Sequence, residues 1–117
     1  MGTRAGRRRK TLANRAEFRE VFREGRVARR HRVVIHLLQR QDCEVGRYGL
    51  VVSKKVGGAV QRNQARRRLR AAIELAGGIP RGMDAVVVVK PNGPVRVKDT
   101  AADIVAVIKE LPGRAGH

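Results

Sequence analysis

Between Glu44 and Glu74 the chain carries no acidic residue, yet it holds Arg47, Lys54, Lys55, Arg62, Arg66, Arg67, Arg68 and Arg70. A solvated helix face normally mixes signs to gain i, i+4 pairs. This run does the opposite, so its cations must stay at a surface and be offset from outside. The whole chain shares the bias, with 27 Lys and Arg against 10 Asp and Glu and a formal net charge of +17 over 117 residues. Self-repulsion of that size works against a compact state unless a polyanion neutralises it. Arg dominates the excess, and its planar fork matches phosphate and stacks on bases. Nucleic acid is the expected partner.

Within the run, Ala59 to Ala76 has helical composition, preceded by Gly57-Gly58 and followed by Gly77-Gly78 with Pro80 beyond. Counted from Arg62, the residues Arg66, Arg70, Asn63 and Arg67 fall at roughly 40°, 80°, 100° and 140° around the helix, whereas Ala65, Leu69, Ala72 and Ala76 fill the arc from roughly 280° to 340°, with Ile73 near its edge. One face packs on a sheet, and the adjacent face presents a polar group about once per turn. Arg68 lies at the far edge. The glycine pair is expected to leave backbone N–H groups and a helix N-terminus beside the stripe, an arrangement that suits phosphate. No Gly-Lys-Ser/Thr follows, so this is not a nucleotide-binding loop.

The remaining pattern completes a single domain over 14–117 behind a basic, flexible arm at 1–13, which holds Arg4, Arg7, Arg8, Arg9 and Lys10 and no acid. Asn14 with Glu17 forms a variant capping box, and Phe18, Val21 and Phe22 fall at i, i+3 and i+4 ahead of Gly25, which predicts a helix over 15–24. Arg32 to Gln39 and Arg47 to Lys54 read as strands, and the polar turn between them suggests a hairpin. Ala85 to Lys90 is a buried-type strand stopped by Pro91. Thr100 is expected to cap a last helix whose apolar face is Ile104, Val107, Ile108 and Leu111. The order α-β-β-α-β-α makes an α+β fold, one central sheet with helices packed on it.

Several function classes fall away. No apolar run approaches the roughly 20 residues of a membrane span, and a chain without Trp and with two Phe offers few anchors for a membrane surface. Cys43 is alone, which fits a reducing cytoplasm and rules out a Cys-based metal site. Phosphodiester hydrolysis with magnesium usually needs carboxylates clustered to hold two ions about 4 Å apart. The acids here are scattered, so no catalytic residue is expected in the chain.

The segment Gly49-Leu-Val-Val-Ser53-Lys54-Lys55-Val-Gly57-Gly58-Ala59-Val-Gln-Arg62-Asn63-Gln64-Ala-Arg66-Arg67-Arg68-Leu-Arg70 resembles the signature of the bacterial ribonuclease P protein component, in which a Ser-Lys-Lys-x-Gly-x-Ala strand end runs into an Arg-Asn-Arg helix. The resemblance takes in Phe18-x-x-Val21-Phe22-x-x-Gly25 upstream and Asp84-Ala-Val-Val-Val-Val-Lys90-Pro91 downstream, from about residue 10 to residue 111. It implies a mixed sheet with a left-handed βαβ crossover, like the second domain of a ribosomal protein. It implies an accessory protein to an RNA-based endonuclease that removes the 5′ leader of precursor tRNA. Magnesium is then held mainly by the partner RNA. Carried over by position, the RNA-docking residues are Lys54, Lys55, Arg62, Asn63, Arg66, Arg67, Arg68 and Arg70. The leader cleft uses Phe18, Phe22, Val34 and His36. Two positions depart from the family pattern: Gln64 stands where its motif usually has a second Arg, and His36 where an aromatic such as Tyr is common.

Two other readings compete. A structural RNA binder of ribosomal type is equally basic but gives no reason for an aromatic cleft beside the arginine helix. A helix-turn-helix DNA reader needs a short turn between two helices, and strands flank this helix instead.

Overall fold

The computed structural model describes residues 9–115. In chain order it holds α1 (Arg15–Glu24), β1 (Arg26–Arg29), β2 (Val33–Gln39), β3 (Arg47–Val51), a single 3-10 turn (Lys54–Val56), α2 (Ala59–Leu75), β4 (Met83–Val89) and α3 (Val97–Ala115). One four-stranded sheet has the spatial order β1-β2-β4-β3. β1 pairs with β2 and β2 with β4 in antiparallel fashion, whereas β3 and β4 run parallel, joined through α2.

The Val-rich β4 explains this order. Ala85, Val87 and Val89 point into a core shared with Val33, Ile35 and Leu37 of β2 and with Leu69, Ala72, Ile73, Ile104 and Val107 of α2 and α3. Val86 points the other way, into a second cluster with Leu12 and Val21. A strand covered on both faces belongs in the middle of a sheet. β4 therefore inserts between β2 and β3, and the hairpin expected from 32–39 and 47–54 does not form. Its place is taken by β1 and β2. The four-residue β1, which carries two arginines and a single buried side chain, is too short and too polar to stand out in the sequence.

Local signals hold better. The Asn14 side chain accepts from the Glu17 N–H at 3.0 Å and starts α1. Val21 is fully buried, worth about 1.5–3 kcal/mol relative to an exposed side chain. Gly25 ends the helix in extended rather than left-handed geometry. The need for glycine there is steric: a Cβ would sit 2.6 Å from the Val21 carbonyl oxygen and 3.0 Å from that of Leu37.

Two further expectations need correction. The last helix begins one turn before Thr100, at Val97, so Thr100 is not its cap but a buried residue inside it, with its hydroxyl unpartnered among the described residues. In the basic arm expected over 1–13, residues 1–8 lie outside the described residues, and residues beyond them are held down. Thr11 bridges Tyr48, the Leu12 N–H donates to the Tyr48 carbonyl at 2.8 Å, and the Leu12 side chain is buried. The outer edge of β3 offers unpaired backbone groups, and this segment meets them.

Candidate nucleic-acid interface

α2 separates its faces as its spacing demands. Ala65, Leu69, Ala72 and Ile73 are buried. Asn63, Arg67 and Arg70 are exposed, and Arg62, Arg66 and Arg68 are half-buried at the flanks. Arg66 donates to the Asn63 side-chain oxygen at 3.3 Å and Arg68 to the Val95 carbonyl at 3.4 Å, while the Arg62 Nε–H is buried without a partner. Among the described residues, the ion pairs involve Arg9, Arg23, Arg30, Arg40 and Arg47, and none involves an arginine of α2.

Lys54 and Lys55 are exposed on the 3-10 turn rather than at a strand end, because β3 stops at Val51. Gly57 follows at φ 147°, a backbone angle L side chains rarely adopt. The expected free N–H groups of the glycine pair are not free. Gly57 donates to the Lys54 carbonyl at 3.1 Å and Gly58 to the Gln61 side chain at 3.0 Å. Any anion at this end of α2 must rely on the N–H groups beyond the glycines and on the lysines.

The four residues expected in a cleft share the sheet face that α1 covers. Val34, His36 and Leu38 alternate with the buried Val33, Ile35 and Leu37, so they point toward α1 and are half-buried. Phe22 meets His36 edge to face, with ring centroids 4.7 Å apart and planes at 80°. Burial first, and Arg29 second, hold the His36 pKa below the ordinary imidazole value. Phe22 stays 42% exposed, so its ring is a wall rather than core. Phe18 is half-buried over Gly49, where a Cβ would run into its ring. The structure adds Val27, 44% exposed and paired with His36 in register, and the exposed Arg29, paired with Val34. These were invisible without β1. Exposed Arg15 and Arg19 were legible but overlooked: counted from Phe18, they lie roughly 60° and 100° around α1, on the side of Phe22.

Cleft and stripe adjoin. A hollow of about 220 Å³ is lined by Phe18 of α1 and by Arg66 and Arg70 of α2, with Gly49 and Leu50 of β3 between them. Phe18 and two guanidinium groups without a carboxylate partner thus face one hollow at the β3 edge.

The opposite flank of α1 is different in character. Asp84 on β4 is 4% exposed and is held by Arg47 and Arg40, while Arg47 also reaches Glu17 at 3.0 Å and Arg9 reaches it at 3.2 Å. Arg40 also donates to Asp42 and to the carbonyls of Met83, Glu44 and Val45. Burial works to raise the Glu17 pKa, but the Ala13 N–H, Arg9 and Arg47 outweigh it, and the carboxyl sits below its ordinary value. Burial works against the charge of Arg40, but Asp42 and Asp84 outweigh it, and Asp84 foremost holds Arg47 charged. This node ties α1, β2, β3 and β4 together at one end of the cleft. Among the described residues no group of three His, Cys, Asp or Glu comes together as a metal site, and no helix is long and apolar enough to cross a membrane.

Comparison with known proteins identifies the family and the fold. Residues 7–111 match the protein-family model described as Ribonuclease P. The chain is 35% identical over 95 residues to the ribonuclease P protein component of Bacillus cereus strain B4264, covering 80% of this chain and 83% of that protein. It is 45% identical over 64 residues to that of Gluconacetobacter diazotrophicus, covering 55% of each. Among solved structures, the ribonuclease P protein of Thermotoga maritima superposes with a TM-score of 0.73 at 26% identity, over 88% of this chain and 98% of that one. The Staphylococcus aureus protein shares the fold, with a TM-score of 0.66 at 22% identity over 92% and 95% of the two chains. The chain belongs to the ribonuclease P protein component family.

Proposed function

We propose that this chain is the protein subunit of a ribonuclease P, docking on the catalytic RNA through α2 and holding the 5′ leader of precursor tRNA in the cleft beside α1. The observation that carries this is the hollow shared by Phe18, Arg66 and Arg70. It brings a base-stacking ring next to phosphate-binding groups that have no carboxylate to satisfy them. Aromatic stacking with a flanking cationic track is how single strands are held without regard to sequence. Lys54, Lys55, Arg62, Asn63, Arg67, Arg68 and Arg70 extend the RNA surface. Phe22, Val34 and His36 form the leader's floor and wall, with Arg15, Arg19 and Arg29 placed for its phosphates.

The bond-breaking step in this reading belongs to RNA. Magnesium is the ion such chemistry calls for, and among the described residues no three acids gather to hold it, while Asp84 and Glu17 are engaged by arginines. The partner RNA would hold the metal and the attacking water in the cytoplasm where tRNA precursors are made. The protein neutralises charge between two polyanions and positions the leader, which lowers the magnesium concentration needed.

The test is to add the protein to a cognate catalytic RNA at low magnesium with a leader-bearing tRNA precursor. Cleavage at the leader junction that requires the protein supports the proposal. RNA binding with no gain in cleavage would favour the structural binder of ribosomal type.

A further inference from the structure

The flank of α2 turned away from the β3 edge borders a cavity of about 250 Å³, which shares only Arg68 with the docking surface described above. Its apolar walls include Val56, Val89, Pro94 and Val95, and its polar lining comes from Gln61, Gln64 and Arg68 in the first turns of α2. The cavity is built rather than collapsible. Arg32 donates to the Asn92 carbonyl at 3.0 Å, Asn92 donates to the His31 carbonyl at 2.9 Å, and Arg68 reaches the Val95 carbonyl. The loop after β4 is thereby fastened to the sheet on one side and to α2 on the other.

Gln64 makes no hydrogen bond among the described residues, and Gln61 keeps its amino group free while its oxygen accepts from Gly58. No acidic residue lines the space. It is smaller than the ~300–1,000 Å³ of ordinary small-molecule sites, a size for one planar group. Apolar walls suit the faces of a nucleobase, and an amide supplies both a donor and an acceptor for its edge. The neighbouring arginines, unpaired with any carboxylate, bring RNA to this helix. We propose that RNA docked on α2 inserts one unpaired base into this cavity, with Gln64 hydrogen-bonding its edge and Arg68 closing over it. The inference rests on the RNA-docking reading above. Gln64 is suited to the task by its length and neutrality: a longer cation there would occupy the slot itself.

The experiment is base-specific chemical probing of the cognate catalytic RNA, with reagents that modify Watson–Crick edges, alone and bound to the full chain as wild type, Q64L and Q64R. Gln64 is exposed, so neither change threatens the fold, and unchanged melting temperatures verify it. The wild type is expected to protect one unpaired base that both variants leave reactive. The affinity of Q64L should fall about tenfold, the worth of one or two hydrogen bonds, while its salt slope stays that of the wild type. Identical base reactivity in all three complexes would overturn the proposal. If the wild type leaves no footprint at all, the docking reading falls with it; if only the single-base effect is missing, docking stands and this inference alone is lost.

Discussion

Arg47 and Asp84 face each other in register on the parallel strands β3 and β4, and Arg47 grips the carboxylate with two hydrogen bonds, 2.9 Å from Nε to Oδ1 and 2.7 Å from Nη2 to Oδ2. Arg40 holds the same carboxylate from the end of β2. Removing Asp84 takes the shared carboxylate from both guanidinium groups, each 13% exposed, and leaves Arg47 to Glu17 and Arg40 to Asp42. Asp84→Ala is expected to cost about 3–5 kcal/mol, the usual penalty for breaking a buried pair from one side. A denaturant midpoint measures it, and a loss under about 1 kcal/mol would mean that water replaces the carboxylate.

His36 gives a pH dependence with a definite sign. Its folded pKa lies below the ordinary value of 6.5, through burial and then Arg29. The unfolded chain therefore binds more protons in the window just below that value. Stability is full above it and declines as the pH falls toward the depressed folded pKa. His36→Phe should flatten this part of the pH–stability curve. An unchanged slope would place its origin in other groups.

The guanidinium stripe is tested by salt. Arg66→Ala, Arg67→Ala and Arg70→Ala are each expected to weaken binding to the catalytic RNA and to flatten the log–log salt slope by about one unit. Titrations at several salt concentrations read this directly. Slopes equal to the wild type's would move the interface off α2.

Phe22 is exposed enough that its loss should leave the fold standing, yet its ring is the wall of the proposed leader cleft. Phe22→Ala is expected to weaken binding of leader-bearing precursor by about 1–3 kcal/mol, the worth of one stacked base. Binding of mature tRNA should be untouched. Equal losses for both substrates would exclude a leader-specific role.

Gly49 leaves the space that Phe18 fills. Gly49→Ala forces the ring aside or the strand out, at about 1–3 kcal/mol as for other overpacked sites. Because the same ring lines the hollow with Arg66 and Arg70, leader affinity should fall along with the melting temperature. A stable variant with full affinity would show that Phe18 has another place to go.

How much could be read from the chain alone varied with the range of the interaction. Asn14, Gly25 and the i, i+3, i+4 spacing of Phe18, Val21 and Phe22 placed α1 at its observed bounds, because caps and helical period act over a few residues. The placement of Ala65, Leu69 and Ala72 opposite Asn63, Arg67 and Arg70 was readable for the same reason. The start of α3 was misplaced by one turn because Thr100, a good capping type, is inside the helix.

The sequence by itself determined where α1 and α2 lie, that β2 and β4 are apolar, and that one helix must present its arginines outward. Only the tertiary structure decided that β4 separates β2 from β3, that Glu17, Arg47, Arg40 and Asp84 form one node, and that Phe18 shares a hollow with Arg66 and Arg70. Periodicity and capping are written in neighbouring residues. Strand order depends on which strand is covered on both faces, and contacts such as Arg47 to Asp84, 37 residues apart in the chain, leave no local trace.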